Sequence, residues 1–286
     1  MRAAIDIGSN SVQMLAGEVK NGFIVPCYTA LETTRLGDME SAGFLSAARV
    51  EDTLKVLGDL VGFLHSKGIT EIKAVATSAV RDAQNKERLL SRSPVNITVL
   101  AGQDEASLTF AGVKPLFLQD DYLMMDIGGG STELMMRQKD DLKVISLDLG
   151  AVRAQTLGWD RRHIKDFVKQ AALFDDVGSE DFKAVGIGGT CTTVAALLQD
   201  LAEYEREKVH GYIASYQDIE NLWQLLSKLP REKRSIFSPL LSHRGLIICE
   251  GMAILLTILE FYQLSEIVIS DAGILDGILL NWTKIP

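Results

Sequence analysis

The chain has 286 residues, 47% of them hydrophobic, and a formal net charge of −9. That length holds one large domain or two of ordinary size, and the apolar fraction is ample for a core and far from a disordered composition. The negative charge excludes a general nucleic-acid binder, because no global positive field draws in a polyanion.

In chain order, Arg2–Asp6, Val12–Val19 and Phe23–Leu31 read as three strands. Asn21-Gly22 is the hairpin signal between the last two. Thr34 to Gly43 is a polar loop holding Arg35. From Ser46 to about Lys67 the spacing of Val50, Leu54, Leu57, Val61 and Leu64 predicts a helix, ended by Gly68. A strand Ile72–Ala76, a helix carrying Arg81 and a short strand Ile97–Leu100 follow. Ala101-Gly102-Gln103-Asp104-Glu105-Ala106 then opens a helix, where adjacent acids also suit the helix dipole.

The second half begins with the apolar run Tyr122-Leu123-Met124-Met125, which leads into Asp126-Ile127-Gly128-Gly129-Gly130-Ser131-Thr132-Glu133 and out to Arg137. Lys143–Leu149 is a strand, and Gly150-Ala151-Val152-Arg153 follows it. A helix covers about Arg162–Phe174, and a strand ending at Ile187 delivers Gly188-Gly189-Thr190 to a helix that ends near Leu201. Glu203 to Lys208 reads as a charged, exposed connection. Helices near Tyr216–Leu229 and Gly245–Tyr262, a strand Glu266–Ser270 and a last helix from Ala272 complete the pattern.

Gly245–Tyr262 barely reaches membrane-spanning length and is interrupted by Glu250 and Glu260, so it reads as a buried helix, and no membrane partner is expected. The first strand starts almost at once, leaving no signal peptide. Cys27, Cys191 and Cys249 match no metal or redox spacing and read as reduced, mostly buried thiols of a cytoplasmic protein. A local basic groove would still serve a polyanionic substrate. Arg206, Lys208, Lys228, Arg231, Lys233 and Arg234 are the candidates for it, although each also fits a solvated surface.

The chemistry concentrates at the glycine turn. Gly128, Gly129 and Gly130 let backbone N–H groups approach an anion, Ser131 and Thr132 add hydroxyl donors, and Asp126 and Glu133 are carboxylates suited to a divalent cation. Ala4-Ile5-Asp6-Ile7-Gly8-Ser9-Asn10-Ser11 repeats the theme near the N-terminus. Lys73–Arg81 and Lys183–Thr190 are likewise matched, each a short strand running into a small hydroxyl-rich turn and a helix. The same order in both halves suggests an internal duplication. Two such α/β halves, each offering a phosphate hairpin to a central cleft, form the plan of the actin-like (ribonuclease H-like) duplicated fold. The expected boundaries are 1–118 for the first domain, with 272–286 packing back on it, and 119–271 for the second.

Together the motifs resemble those of the exopolyphosphatase / guanosine pentaphosphate phosphohydrolase family. They are Ala4–Ser11, Ala76-Thr77-Ser78-Ala79-Val80-Arg81-Asp82-Ala83, Gly102-Gln103-Asp104-Glu105-Ala106, Asp126–Glu133 and Gly188-Gly189-Thr190, in family order across nearly the whole chain. The resemblance implies hydrolysis of a terminal phosphoanhydride, dependent on magnesium or manganese. Polyphosphate is the first expected substrate and guanosine pentaphosphate, of the stringent response, the alternative. It places Glu105 on the family's catalytic glutamate and Arg81 on an arginine facing the substrate phosphates. Gly8, Ser9, Asn10, Ser11, Gly128, Gly129, Gly130, Ser131, Thr132, Gly189 and Thr190 fall on phosphate-binding positions, and Asp126 and Glu133 on metal ligands.

Two departures stand out. Members often read Arg-Ala-Asp before the long apolar helix, whereas this chain has Arg244-Gly245-Leu246. No histidine among His65, His163, His210 and His243 is followed by aspartate, so the histidine–aspartate metal domain of longer members is missing. A nucleotide sensor without turnover and an actin-like kinase are the competing classes, and a homodimer stays open.

Overall fold

Apolar alternation at the N-terminus makes β1 (Arg2–Ile7), which pairs antiparallel with β2 (Ser11–Lys20), and β2 pairs antiparallel with β3 (Phe23–Thr33). Asn21 (φ 52) and Gly22 (φ 81) join β2 to β3 with both residues left-handed, the turn whose twist matches paired strands. At Gly17 the register slips by one residue, and a β-carbon there would stand 2.7 Å from the Val25 carbonyl. Only glycine lets the two backbones approach this closely. The computed structural model describes residues 1–41, 43–113, 122–138, 141–171, 174, 183–242 and 244–284. The chain divides into two compact units, Met1–Leu118 with Ala272–Pro286, and Gln119–Asp271.

In the first unit β4 (Met39–Ser41) and β5 (Phe44–Leu45) precede α1 (Ala47–Ser66). The Gly68 N–H bonds the His65 carbonyl and the Ile69 N–H bonds the Leu64 carbonyl, with Gly68 at φ 73. This paired closure is a Schellman end, and it stops the helix where the glycine stands. β6 (Ile72–Ala76) runs parallel to β1, and β7 (Ile97–Val99) parallel to β6, so the sheet order is β3-β2-β1-β6-β7. Between them lie α2 (Ser78–Arg81) and α3 (Glu87–Leu90), and α4 (Gly102–Val113) follows.

Alternate residues of β1 feed opposite faces. Ala3, Ile5 and Ile7 meet Leu57, Val61 and Leu64 of α1, whereas Ala4 meets Ile278 and Leu279 near the C-terminus. Burial on both faces is what turns the strand into a nearly continuous apolar run.

The second unit repeats this plan. β8 (Tyr122–Ile127), β9 (Thr132–Gln138) and β10 (Asp141–Leu147) form an antiparallel meander. α5 (Ala151–Thr156) and α6 (Arg161–Gln170) precede β11 (Lys183–Ile187), which pairs parallel with β8. α7 (Gly188–Leu198), α8 (Arg206–Val209), β12 (Ile213–Ser215), α9 (Tyr216–Ser227), α10 (Arg234–Phe237), α11 (Ile248–Phe261) and β13 (Glu266–Ile269) follow. The order β10-β9-β8-β11-β13-β12 is that of the first sheet with β12 added at the edge. Both sheets share the mixed α/β plan of the actin-like fold. The chain then returns to the first unit as α12 (Ile274–Leu280), which lies so close to α4 that a β-carbon on Gly277 would collide with the Leu108 backbone.

Several expectations need correction. The helix expected to reach Phe174 ends at Gln170, with 172–173 outside the described residues, whereas the expected helix carrying Arg81 is present as a single turn. His243 also lies outside them. The connection 203–208 contains α8, and Arg206 is tied to Asp271 at 2.8 Å. The proposed basic groove does not survive as a set of free cations. Arg234 is 5% exposed and donates to the Leu226 and Gly245 carbonyls, fastening the end of α9. Arg231 is paired with buried Glu250 at 2.7 Å, and Lys208 with Glu205 at 2.8 Å. Lys228 and Lys233 are left exposed. As expected, Gly245–Tyr262 supplies a buried helix, α11, whose residues Ile248 to Leu259 are all buried. Among the described residues no helix is long and apolar enough to cross a membrane.

Candidate functional site

In the first unit the turn between β1 and β2 is closed by the Gly8 N–H on the Ser11 carbonyl. The Ser9 hydroxyl meets that of Ser78 at 3.1 Å, and the Thr77 N–H bonds the Ile7 carbonyl, so two of the sequence motifs are brought together. The segment after β3 folds back over the turn. Thr34 and Arg35 both donate their N–H to the Asn10 carbonyl, and Gly37 donates to that of Ser9. A trans peptide points its N–H opposite to its carbonyl. The N–H groups of Asn10 and Ser11 therefore face away from the segment that holds the carbonyls.

Glu105 sits in the first turn of α4 with its N–H on the Ala101 carbonyl. Arg81 Nη1 donates to Glu105 Oε2 at 3.0 Å and to the Leu100 carbonyl at 3.2 Å, and the two side chains are 22% and 12% exposed. The arginine expected to face substrate is thus committed, through one nitrogen, to aiming the glutamate. Its Nε lies 3.7 Å from Asp82.

The second unit shows the same device more completely. The Gly128 N–H closes the turn on the Ser131 carbonyl. The Gly128 carbonyl accepts from Ala151, the Gly129 carbonyl from Val152 and Arg153, and the Gly130 carbonyl from Arg153 Nε at 2.7 Å. The start of α5 and one guanidinium therefore hold three successive carbonyls. The same peptide geometry turns the N–H groups of Gly129, Gly130 and Ser131 the other way, as a nest of oriented donors suited to an anion. Gly150 is required where α5 meets the turn, because its β-carbon would stand 2.5 Å from the Gly129 carbonyl carbon.

Asp126 and Glu133 are register partners on β8 and β9, so they share a face of the sheet. Asp126 is half-buried, and its carboxylate lies over Gly188, where a β-carbon would come within 2.5 Å of Oδ1. Gly188 has φ 79 and opens α7, so Asp126 stands at the N-terminal end of that helix beside Gly189 and Thr190. Glu133 is 1% exposed and accepts from the Ser146 hydroxyl at 2.8 Å. Thr132 is fully buried and gives its hydroxyl to the Leu149 carbonyl at 2.5 Å, which removes it from the hydroxyl donors expected at the turn. Thr190 is 3% exposed and packs against Gly251 of α11.

One residue of this site was noted in the sequence only as the start of a departure from the family pattern. Arg244 lays its guanidinium on Gly189, where a β-carbon would collide with it. Burial holds its pKa below the ordinary arginine value, with Tyr204 close enough to act on it in the opposite direction. Tyr204 is itself 47% exposed and bonds Asp271 through its hydroxyl. The Gly188-Gly189 pair was the available signal, since a second glycine beyond the left-handed one marks a close approach. A surface pocket of about 660 Å³ among α6, α9 and α11, lined by Arg161, Lys165, Tyr216, Glu220 and Glu260, includes none of the motif residues.

Residues 15–285 match the Ppx/GppA phosphatase family. The chain belongs to that family. Among relatives of this Ppx/GppA phosphatase, Exopolyphosphatase 2 of Mycobacterium tuberculosis is 26% identical over 98% of this chain and 97% of its own length. A bifunctional 3-dehydroquinate synthase/phosphatase of Fusobacterium nucleatum is 30% identical over 98% of this chain, which spans only 46% of that protein. The crystal structure of the Aquifex aeolicus Ppx/GppA family member is 28% identical and superposes with a TM-score of 0.80, covering 99% of this chain and 97% of the other.

A divalent metal, expected of the family, would need carboxylate ligands among these side chains. No group of three or more His, Cys, Asp or Glu residues converges among the described residues. Magnesium does not need one, since it keeps several waters and takes one or two carboxylates with substrate phosphate oxygens. Half-buried Asp126, beside an N–H nest and a helix N-terminus, fits that demand. Glu133 is the buried neighbour whose Oε1 a hydroxyl already engages.

Proposed function

We propose that this Ppx/GppA phosphatase is an exopolyphosphatase releasing terminal orthophosphate from inorganic polyphosphate. The observation that carries the reading is the aimed glutamate: Glu105, 12% exposed, held by Arg81 at 3.0 Å beside the hydroxyl-rich turn of the first unit. Water attacks the terminal phosphorus, Glu105 accepts its proton, and the anhydride P–O bond breaks toward the shortened chain. The transition state of such a transfer is loose, so positioning and charge stabilisation supply most of the rate. The second unit, taken by itself, offers an N–H nest at Gly129, Gly130 and Ser131 suited to phosphate oxygens, and Arg244 above Gly189 adds a guanidinium for charge-assisted bonds there. Asp126 would hold a magnesium ion, which would neutralise phosphate charge when bound, while its register partner Glu133 has Oε1 engaged by the Ser146 hydroxyl. A cytoplasmic site of action belongs to the same reading, and a homodimer remains compatible with it.

One observation favours guanosine pentaphosphate as a second substrate. Tyr204 is exposed and near enough to Arg244 to act on its charge, and an aromatic residue in the neighbourhood of a phosphate-binding arginine suits a nucleobase. Phosphate release from long-chain polyphosphate, guanosine pentaphosphate, and ATP with sugars, each with and without magnesium, tests the set. Release from polyphosphate is expected. Release only from the pentaphosphate would shift the assignment to the nucleotide, and tight nucleotide binding with no release would make the protein a sensor.

A further inference from the structure

The segment that closes the first hairpin carries an arginine in a conformation arginines seldom adopt. Arg35 has φ 51, the left-handed region that is strained for a residue with a β-carbon. Backbone bonds hold it there: Thr34 N–H and Arg35 N–H reach the Asn10 carbonyl at 3.2 and 2.9 Å, and Gly37 N–H reaches that of Ser9 at 2.8 Å. Leu36, 0% exposed, anchors the segment in the core. The loop is fastened without any help from the guanidinium.

That guanidinium is also uncommitted. Arg35 is half-buried, and no described carboxylate pairs with it. Asp38, the acid closest in sequence after it, is engaged by Arg49 at 3.6 Å. On the residues joined to it by these backbone bonds, polar side-chain atoms are unsatisfied. Asn10 Nδ2 and Thr34 Oγ1, on residues only 6% and 2% exposed, are buried without a hydrogen-bond partner, and so is Thr33 Oγ1. Folded proteins rarely leave buried polar atoms in this state, and a cluster of them on one hairpin needs an explanation. An amide nitrogen and a guanidinium only donate, and a hydroxyl can. Donors held on this loop and turn without hydrogen-bond partners suit a ligand that only accepts, and a phosphate oxyanion is such a ligand.

We propose that Arg35, Thr34 and Asn10 form a phosphate subsite that binds the substrate without taking part in the chemical step. This rests on the phosphoanhydride reading above. Arg81 spends Nη1 on Glu105, whereas no described carboxylate pairs with Arg35, whose whole guanidinium can neutralise substrate charge. The strained backbone is the means by which a short loop presents a long cationic side chain at a fixed place.

Arg35→Gly separates the site from the fold, because glycine takes φ 51 without strain and leaves every backbone bond of the loop in place. Tripolyphosphate binding measured by calorimetry should weaken at least about tenfold, the size of one lost charge-assisted contact, while Tm stays level or rises. The KM for tripolyphosphate should rise by a similar factor with kcat within about twofold, the signature of lost binding that is equal in ground and transition states. Arg35→Lys, which keeps charge but not the planar fork, should fall between. Equal affinity for tripolyphosphate in a folded Arg35→Gly overturns the subsite, and so does a fall in kcat at unchanged KM. Binding is read apart from turnover, so the two readings fail separately. A wild type that binds tripolyphosphate through Arg35 but releases nothing keeps the subsite and removes the hydrolase. A wild type that hydrolyses with affinity indifferent to Arg35 does the reverse.

Discussion

Gly189→Ala tests the placement of Arg244 with a single methyl group. Gly189 is not in the left-handed region, so alanine is conformationally allowed there, and in the first turn of α7 it gains helix propensity of up to about 1 kcal/mol. The added carbon lands on the far end of a flexible side chain, the Arg244 guanidinium, rather than on backbone. Folding should therefore be nearly unaffected while the guanidinium is pushed from its place. A charge-assisted hydrogen bond contributes about 1.5–3 kcal/mol. Losing it from the transition state would lower kcat/KM by about 10- to 150-fold. The assay is phosphate release across a range of polyphosphate concentrations, with a thermal melt on the same preparation. Arg244→Ala should give a loss of similar size, and the double variant should be little worse than either alone, because both remove one contact. Wild-type kcat/KM in Gly189→Ala would refute the placement. A loss accompanied by a Tm drop of more than about 4 °C, the scale of 1 kcal/mol in a unit of this size, would mean that the fold and not the arginine was hit.

Other outcomes follow from the same geometry. Glu105→Gln keeps an acceptor for Arg81 at its 3.0 Å contact but cannot take a proton. Phosphate release should fall about 10²- to 10⁴-fold with substrate binding intact, and a variant retaining over a tenth of the activity would move the base elsewhere. Asp126→Ala should lose both turnover and the response to added magnesium, so a normal metal titration would remove Asp126 from the site. Gly150→Ala drives a β-carbon into the Gly129–Gly130 backbone and should cost about 1–3 kcal/mol in a denaturant titration. Burial pushes the Cys249 thiol from 9.0 up to about 11, and Cys191 upward as well, whereas Cys27 is exposed. Native protein at pH 8 should react with a thiol reagent at Cys27 only. The contribution of Cys249 to stability should be complete below pH 9 and lost as pH rises toward about 11, because the unfolded chain releases that proton first.

The paired strands and the long helices were legible because each carries a complete local signal. Asn21-Gly22 demands a left-handed turn, Gly68 demands a helix end, and the apolar spacing from Val50 to Leu64 defines one face. The duplication was legible for the same reason, since both hairpins spell their turn in glycine and hydroxyl residues. What escaped was the set of short pieces whose only reason to exist is tertiary. α5 has six residues and exists to hold the Gly128 and Gly129 carbonyls, and β12 has three and only extends a sheet edge. Side-chain roles escaped in the same way. Nothing in the run Lys228, Arg231, Lys233, Arg234 distinguishes Arg234, yet the Leu226 and Gly245 carbonyls bury it and Glu250 claims Arg231. Thr132 and Ser131 are adjacent hydroxyls, but the pleat sends Thr132 to the Leu149 carbonyl.

The anion grip in the second unit belongs to the main chain. Its donors are the N–H groups behind the Gly128, Gly129 and Gly130 carbonyls, aimed by bonds on the opposite side of each peptide. A scan that truncates side chains would pass over these donors without seeing them. Drift in the surrounding residues leaves them intact as long as the first turn of α5 can reach the carbonyls. Their charge is partial and fixed, so the N–H groups themselves take up and release no proton when phosphate arrives. The vulnerable points are consequently the residues that carry no donor at all, above all Gly150, whose missing side chain allows the helix to approach.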